Sequence, residues 1–408
     1  MIYVRGIQIT PFDKKRWVVN TSDGNHLLVN GHTKNLLDIL VDSSSEQEAL
    51  EQFNQEFGQN LDKKSFEDLL QHKFENANVL QSEEPKSFRK KSYLNFKIKL
   101  FNAKIAGLLS SPFVFLFNPV AFWLLFGTCL VFTVTVGFVY FSFDSTWINV
   151  NNLVLYSTIM YATMLIHELG HIAACRKFGV DHGEIGFGFY SIFPVVYADV
   201  THIWTLDKHK RTITNLGGIY LEIIYASIWS TCYLISREEV FLIASFSILF
   251  KTLTELNPFI RFDGYWVILD LTNTPNLLPK ANAMVRSIVA RIKGKKTSSA
   301  TKWGRYHYLL AAYGLVNWGV FSLYVLWMIQ EYWQSILGYP VLIGQIFSEM
   351  FSGNIDSLMD IFSFENLMIL GFYLLLGRQI IKWTITIFKI NRSVAKPGLK
   401  GMDPRRPN

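Results

Sequence analysis

Residues 151–175 read NNLVLYSTIMYATMLIHELGHIAAC. An apolar run of this length can cross a bilayer as a helix, which needs about 20 residues. This one also carries His167, Glu168 and His171. Residues four apart on a helix are rotated by about 400°, so the two histidines point the same way, one turn apart. Two imidazoles so placed can bind one Zn2+, with Glu168 beside the metal. Ionisable groups at membrane depth are costly unless paired or metal-bound. A hydrogen-bonded cluster without metal is the competing reading. Chance is a poor one, since this composition yields at most roughly 0.015 matches to the pattern in 408 residues.

The rest of the chain agrees with a membrane setting. Half of its 408 residues are hydrophobic and 17% are charged, against about a quarter charged in soluble proteins. That excludes a disordered, collagen-like or disulfide-stapled chain. Six apolar stretches can span, near 119–142, 151–175, 213–235, 239–257, 308–331 and 366–388; the fourth contains Lys251 and Glu255. Gly338, Pro340 and Gly344 interrupt the apolar stretch 334–352, which reads as re-entrant or interfacial. With the N-terminus inside, the external segments 143–150, 236–238 and 332–365 hold one basic residue, Arg237, whereas 1–118, 176–212, 258–307 and 389–408 are basic near the membrane. Cytoplasmic N- and C-termini follow from that asymmetry. It also explains the net charge of +7 without nucleic acid. No basic-then-apolar signal peptide opens the chain, and Cys129, Cys175 and Cys232 form no Cys-x-x-Cys pair.

Residues 1–80 read as a small soluble α/β domain. Two β-prone runs, 16–20 and 26–30, flank Asp23-Gly24, a hairpin signal. Helical patterns follow at 33–41, 45–57 and 63–74, the second opening with Ser45-x-x-Glu48, a capping-box pattern. A hairpin and three helices suggest a winged-helix-like module. Residues 81–118 mix Lys86, Arg89, Lys90, Lys91, Lys97, Lys99 and Lys104 with Phe96, Ile98 and Leu100. They read as a basic connector lying on an anionic leaflet or as a solvated linker. The run 185–198 is β-prone and glycine-broken, so it could hold a substrate extended or be an ordinary interfacial hairpin. The zinc core is expected over 119–280, and two further spans with a basic tail over 281–408.

A catalytic zinc needs a third protein ligand. Asp263, Glu222, Asp199 and His202 are the candidates near spans. Asp263 lies in Asn257-Pro258-Phe259-Ile260-Arg261-Phe262-Asp263-Gly264-Tyr265, where Pro258 ends a helix and Gly264 permits a sharp turn. Chemistry alone leaves Asp263 and Glu222 open.

The pairing of His167-Glu-x-x-His171 with Asn257-Pro and Asp263-Gly264 resembles the site-2 protease family of intramembrane zinc metalloproteases, in its branch of peptide zinc metalloproteases. Runs such as Asp270-Leu271, Pro275-Asn276-Leu277 and Pro194…Asp199…Trp204 share the likeness, which covers about residues 90–280. It implies zinc on His167, His171 and Asp263, a catalytic Glu168, and substrate positioning by Asn257. Many regulated site-2 proteases carry a PDZ domain in a loop, for which 176–212 is too short. The N-terminal element order resembles PqqD-like modules, which bind a leader peptide as an added strand.

The expected protein is therefore a polytopic α-helical membrane protein with about six spans and a winged-helix-like N-terminal domain. Its expected activity is zinc-dependent cleavage of a peptide bond in a bacterial cytoplasmic membrane, on a ribosomally made peptide. Regulated cleavage of a membrane signalling protein and a non-catalytic export or immunity role are the alternatives. The expected partners are the bilayer and a peptide or membrane-protein substrate.

Overall fold

The computed structural model describes residues 7–13, 15–21, 26–74, 94–140, 149–190, 193–292, 304–351, 366, 369–374 and 377. The chain divides into two units, Met1–Leu277 and Leu278–Asn408.

The N-terminal module is a three-stranded antiparallel sheet followed by three helices. The strands are β1 (Gln8–Pro11), β2 (Arg16–Asn20) and β3 (His26–Asn30), in the order β1-β2-β3. β2 and β3 match the two expected runs, while β1 was not anticipated. The Asp23-Gly24 turn and the segment 76–80 lie outside the described residues. The helices are α1 (Gly31–Asp42), α2 (Glu46–Phe57) and α3 (Lys63–Phe74). Their inward stripes, with Leu36, Leu37, Leu50, Phe53, Phe66 and Leu70, bury against Val19 of β2. Ser45 caps α2 by accepting from the Glu48 amide at 3.2 Å. The reciprocal bond is displaced by one residue, since Glu48 accepts from the Ser44 amide at 2.8 Å.

Among the described residues, four helices are long and apolar enough to cross a membrane, which marks a membrane protein. They are α5 (Pro119–Tyr140), α6 (Val150–Lys177), α8 (Gly217–Ser236) and residues 305–345 of α12 (Arg305–Phe351). The expected span 213–235 is shortened by a break at Leu216, which separates α7 (Lys208–Asn215) from α8. α9 (Glu239–Glu255) occupies most of the fourth stretch but is only 17 residues long. Most of 366–388 lies outside the described residues.

The expected connector is folded from Leu94 onward. β4 (Leu94–Phe101) joins β5 (Ile185–Tyr190) and β6 (Phe193–Ala198) in an antiparallel sheet of order β4-β5-β6. Lys99 pairs with Glu184 at 2.7 Å, and Lys97 lies 4.9 Å from the Tyr197 ring centre. Phe96, Ile98 and Leu100 alternate with these lysines and stay exposed. α4 (Ala103–Ser110) and a 3-10 helix (Ser111–Phe117) complete the segment.

A joint ties the β1–β2 turn to α7 and to α10 (Asp263–Leu271). The buried Phe12 ring lies 4.4 Å from the Arg211 guanidinium and 6.1 Å from the Trp204 ring. Arg16 donates to the Asn273 carbonyl at 2.9 Å, and the Asn273 amide donates to Asp13 at 2.9 Å. The fully buried Arg211 donates to Asp270 at 2.6 Å, and Asn215 donates to the same carboxylate at 2.7 Å.

In the second unit, α11 (Leu277–Ile292) precedes α12. The stretch 334–351 is helical despite Pro340. The one non-helical residue within α12 is Tyr332, at φ −115° and ψ 23°. Met328, Ile336 and Tyr339 around that kink pack against Ile369 and Phe372.

Candidate metal centre

His167, Glu168 and His171 lie in the second half of α6 and are all buried. A close approach between helices puts them there. A Cβ on Gly170 would collide with the backbone of Gly217, and one on Gly217 would lie 2.8 Å from the Gly170 carbonyl oxygen. The glycine contact lets α6 and α8 meet backbone to backbone. Gly218 then lies on the His167 ring, where a Cβ would be 2.5–2.6 Å from Nε2, Cδ2 and Cε1.

The break between α7 and α8 supplies the next piece. The carbonyl of Thr214, in the last turn of α7, lies 2.8 Å from His171 Nδ1. A carbonyl only accepts, so His171 carries its proton on Nδ1 and presents the Nε2 lone pair.

The third piece comes from the turn after α9. Asn257 Oδ1 accepts from the Phe259 amide at 2.9 Å, turning the chain around Pro258. A Cβ at Gly264 would collide with the backbone of Leu256, so glycine is what lets the start of α10 fold back against the end of α9. Asp263, the first residue of α10, thereby reaches the imidazoles. Its Oδ2 lies 3.0 Å from His167 Nε2 and 3.3 Å from His171 Nε2, and the two Nε2 atoms are 3.1 Å apart. Asp263 Oδ2 is buried and makes no hydrogen bond among the described residues.

Donor atoms at about 2.0–2.1 Å from a tetrahedral zinc lie about 3.3 Å from one another. The triangle in the protein has nearly those edges. The donor set of two imidazoles and one carboxylate is one that a catalytic zinc accepts. The residues fit the ion.

Glu222 falls elsewhere. Its Oε1 lies 3.2 Å from His167 Nδ1, and Glu255 Oε2 lies 3.3 Å from the same nitrogen. Nδ1 and Nε2 flank Cε1 and point away from each other in the ring plane, so Glu222 on Nδ1 and Asp263 on Nε2 meet different sides of the ring. Lys251 pairs with both Glu222 and Glu255. Glu168 has His167, His171, Asp263 and Lys251 as electrostatic neighbours. Asp199 instead accepts from Thr201, and neither it nor His202 belongs to a potential metal-ligand group among the described residues. Asn257 serves the turn that delivers Asp263.

Sequence reasoning overlooked Arg211 and Asn215, which donate to Asp270, and it treated Lys251 and Glu255 only as blemishes in a span. The spacing of Lys251 and Glu255, one helical turn apart in an apolar stretch, was a usable signal, since such charges persist at membrane depth only when paired.

No protein-family model matches the chain, and no solved structure matches it. One curated protein does. The "Putative peptide zinc metalloprotease protein YydH" of Bacillus subtilis (strain 168) is 27% identical over 109 residues, which is 26% of this chain and 43% of that protein. The chain thus covers less than half the length of this relative, to which it is similar in that stretch.

Proposed function

We propose that the protein is an intramembrane zinc endopeptidase of the site-2 protease kind that processes a ribosomally made peptide. The observation that carries the reading is the convergence of Asp263 Oδ2 with both Nε2 atoms beside a buried Glu168, on a helix long enough to cross a membrane. The likeness to a protein named as a peptide zinc metalloprotease supports it.

In this reading His167, His171 and Asp263 hold the metal. A zinc ion there would supply Lewis-acid chemistry, lowering the pKa of water to about 7 and polarising a peptide carbonyl. Glu168 takes the proton of the attacking water and passes it to the leaving amine. Asn257 positions substrate through the turn that it shapes. A scissile peptide must be extended, because helical backbone has already spent its hydrogen bonds. β6 is an edge strand of its sheet and offers a free edge for such a segment. The module of residues 1–80 recruits the peptide, and the core lies in the bacterial cytoplasmic membrane with both termini inside. Between α6 and α7 there are only two strands and a 3-10 helix, leaving no room for a PDZ domain, which favours peptide processing over regulated cleavage of a signalling protein.

The test is peptide processing in cells carrying Glu168→Gln. Processing should fall by at least about 100-fold, within the range of general acid–base catalysis, while zinc content of the purified protein stays near one per chain. Unchanged processing ends the protease reading.

A further inference from the structure

One buried ionic cluster has no part in the chemistry above. Glu222 lies in the interior of α8 with no exposed surface. Lys251 of α9 pairs with it, and Thr252 Oγ1 donates to its Oε2 at 3.2 Å. Lys251 also pairs with Glu255, one turn along α9. A carboxylate in an apolar span is costly unless paired, and the lysine offsets that cost. Two carboxyl groups thus share one ammonium, and both face His167 Nδ1, at 3.2 and 3.3 Å.

The two imidazoles are thus supported differently. The Thr214 carbonyl is hydrogen-bonded to His171 Nδ1, whereas His167 Nδ1 is a buried nitrogen with no hydrogen bond among the described residues and has the Glu222 and Glu255 carboxylate oxygens 3.2 and 3.3 Å away. An anionic acceptor on the far nitrogen of a metal-bound imidazole fixes its tautomer and ring orientation and makes the ligand more basic. Glu222 suits that task better than Glu255. It sits within a helix, and both its oxygens are engaged, whereas Glu255 is the last residue of α9 and its side chain keeps 18% of its surface exposed.

We propose that Glu222, fixed by Lys251 and Thr252, is the positioning residue of His167. It accepts the Nδ1 proton, so that the Nε2 lone pair stays aimed at the ion. This rests on the zinc reading above. Lys251 fills the space between the two carboxylates, so the group His167, Glu222 and Glu255 is an ion-pair network and takes no second metal.

The test is zinc affinity of the full-length protein purified in detergent, measured by chelator competition, for wild type, Glu222→Gln and Glu255→Gln. Glu222→Gln should bind zinc about 10- to 100-fold more weakly, with kcat reduced and KM unchanged. Glu255→Gln should change affinity less, and wild type should bind one zinc per chain. Equal affinities for wild type and Glu222→Gln would overturn the proposal and leave the protease reading standing. A larger loss in Glu255→Gln, or two zinc ions per chain, also overturns it. Wild type that binds no zinc sinks the protease reading and this proposal together. If Glu222→Gln does not fold, the double variant Glu222→Gln/Lys251→Met removes both charges and should fold with the same loss of affinity; unchanged affinity in it refutes the positioning role.

Discussion

Replacing Gly218 by alanine tests the packing that places His167. The added methyl would lie 2.5–2.6 Å from three atoms of the His167 ring, nearly equidistant from them, and hence against the ring face. Ordinary contact requires about 3.5 Å, so something must give by about 1 Å. α8 cannot withdraw without opening its contact with Gly170 and the cluster in which Ile219, Tyr220 and Leu221 are buried. The ring is therefore what moves, and it carries Nε2 away from Asp263 and His171. A misplacement of about 1 Å near the reacting atoms costs about 100-fold in rate, or about 2.7 kcal/mol of activation free energy. Overpacking should also cost about 1–3 kcal/mol of stability. Processing rate, zinc content and thermal unfolding would be compared with Gly319→Ala in α12, where a Cβ meets nothing within 4 Å. The control should match wild type or be slightly more stable, because alanine is the better helix former. Wild-type rate and zinc content in Gly218→Ala would refute the placement of the ring.

Two further substitutions probe the supports. Arg211→Met strands the buried Asp270 carboxylate and removes the cation facing Phe12; it should destabilise the protein by about 3–5 kcal/mol, read as a lowered thermal midpoint in detergent, and no shift would show that this joint carries little stability. Leu70→Ala removes a fully buried side chain from the N-terminal core and should cost about 2–5 kcal/mol, read by hydrogen exchange in residues 26–74, while zinc content stays at the wild-type level.

Legibility in the sequence followed how local each feature is. His167, Glu168 and His171 were readable because helical spacing alone aligns them. Asp263 was half readable: Pro258 and Gly264 announced a turn, but only the fold shows which ring edge the carboxylate meets, and so separates it from Glu222. Ser45 announced the cap, yet Glu48 bonds the Ser44 amide, one residue upstream of the expected partner. β1 was missed because Gln8–Pro11 is four residues ending in proline, too short to show a period. In β4 the period of two was present, as Phe96, Ile98 and Leu100 against Lys97 and Lys99, but the same mixture also suits a membrane surface. In α12 proline was over-read: helices tolerate proline at membrane depth where neighbours re-satisfy the backbone, and the break falls at Tyr332.

The charges around His167 bear on whether a metal-free hydrogen-bonded cluster could stand in for the zinc site. Glu168, Glu222, Glu255 and Asp263 all lie around the two imidazoles, and Lys251 pairs with Glu222 and Glu255. Without a metal, protonating both imidazoles is one way to offset ionised carboxylates there. It would set two Nε2–H groups face to face at 3.1 Å, both competing for the one Asp263 oxygen. Imidazolium charge is spread over each ring, and with the ring centres 4.9 Å apart the two would repel by about 3 kcal/mol at an effective dielectric of 20. A divalent cation held by His167, His171 and Asp263 would supply positive charge while both rings stayed neutral, with His171 Nδ1–H kept on the Thr214 carbonyl and the Glu222 carboxylate 3.2 Å from His167 Nδ1. A cluster this rich in carboxyl groups in an apolar bundle would be stabilised by a divalent cation, which is the local charge that such a site lacks otherwise.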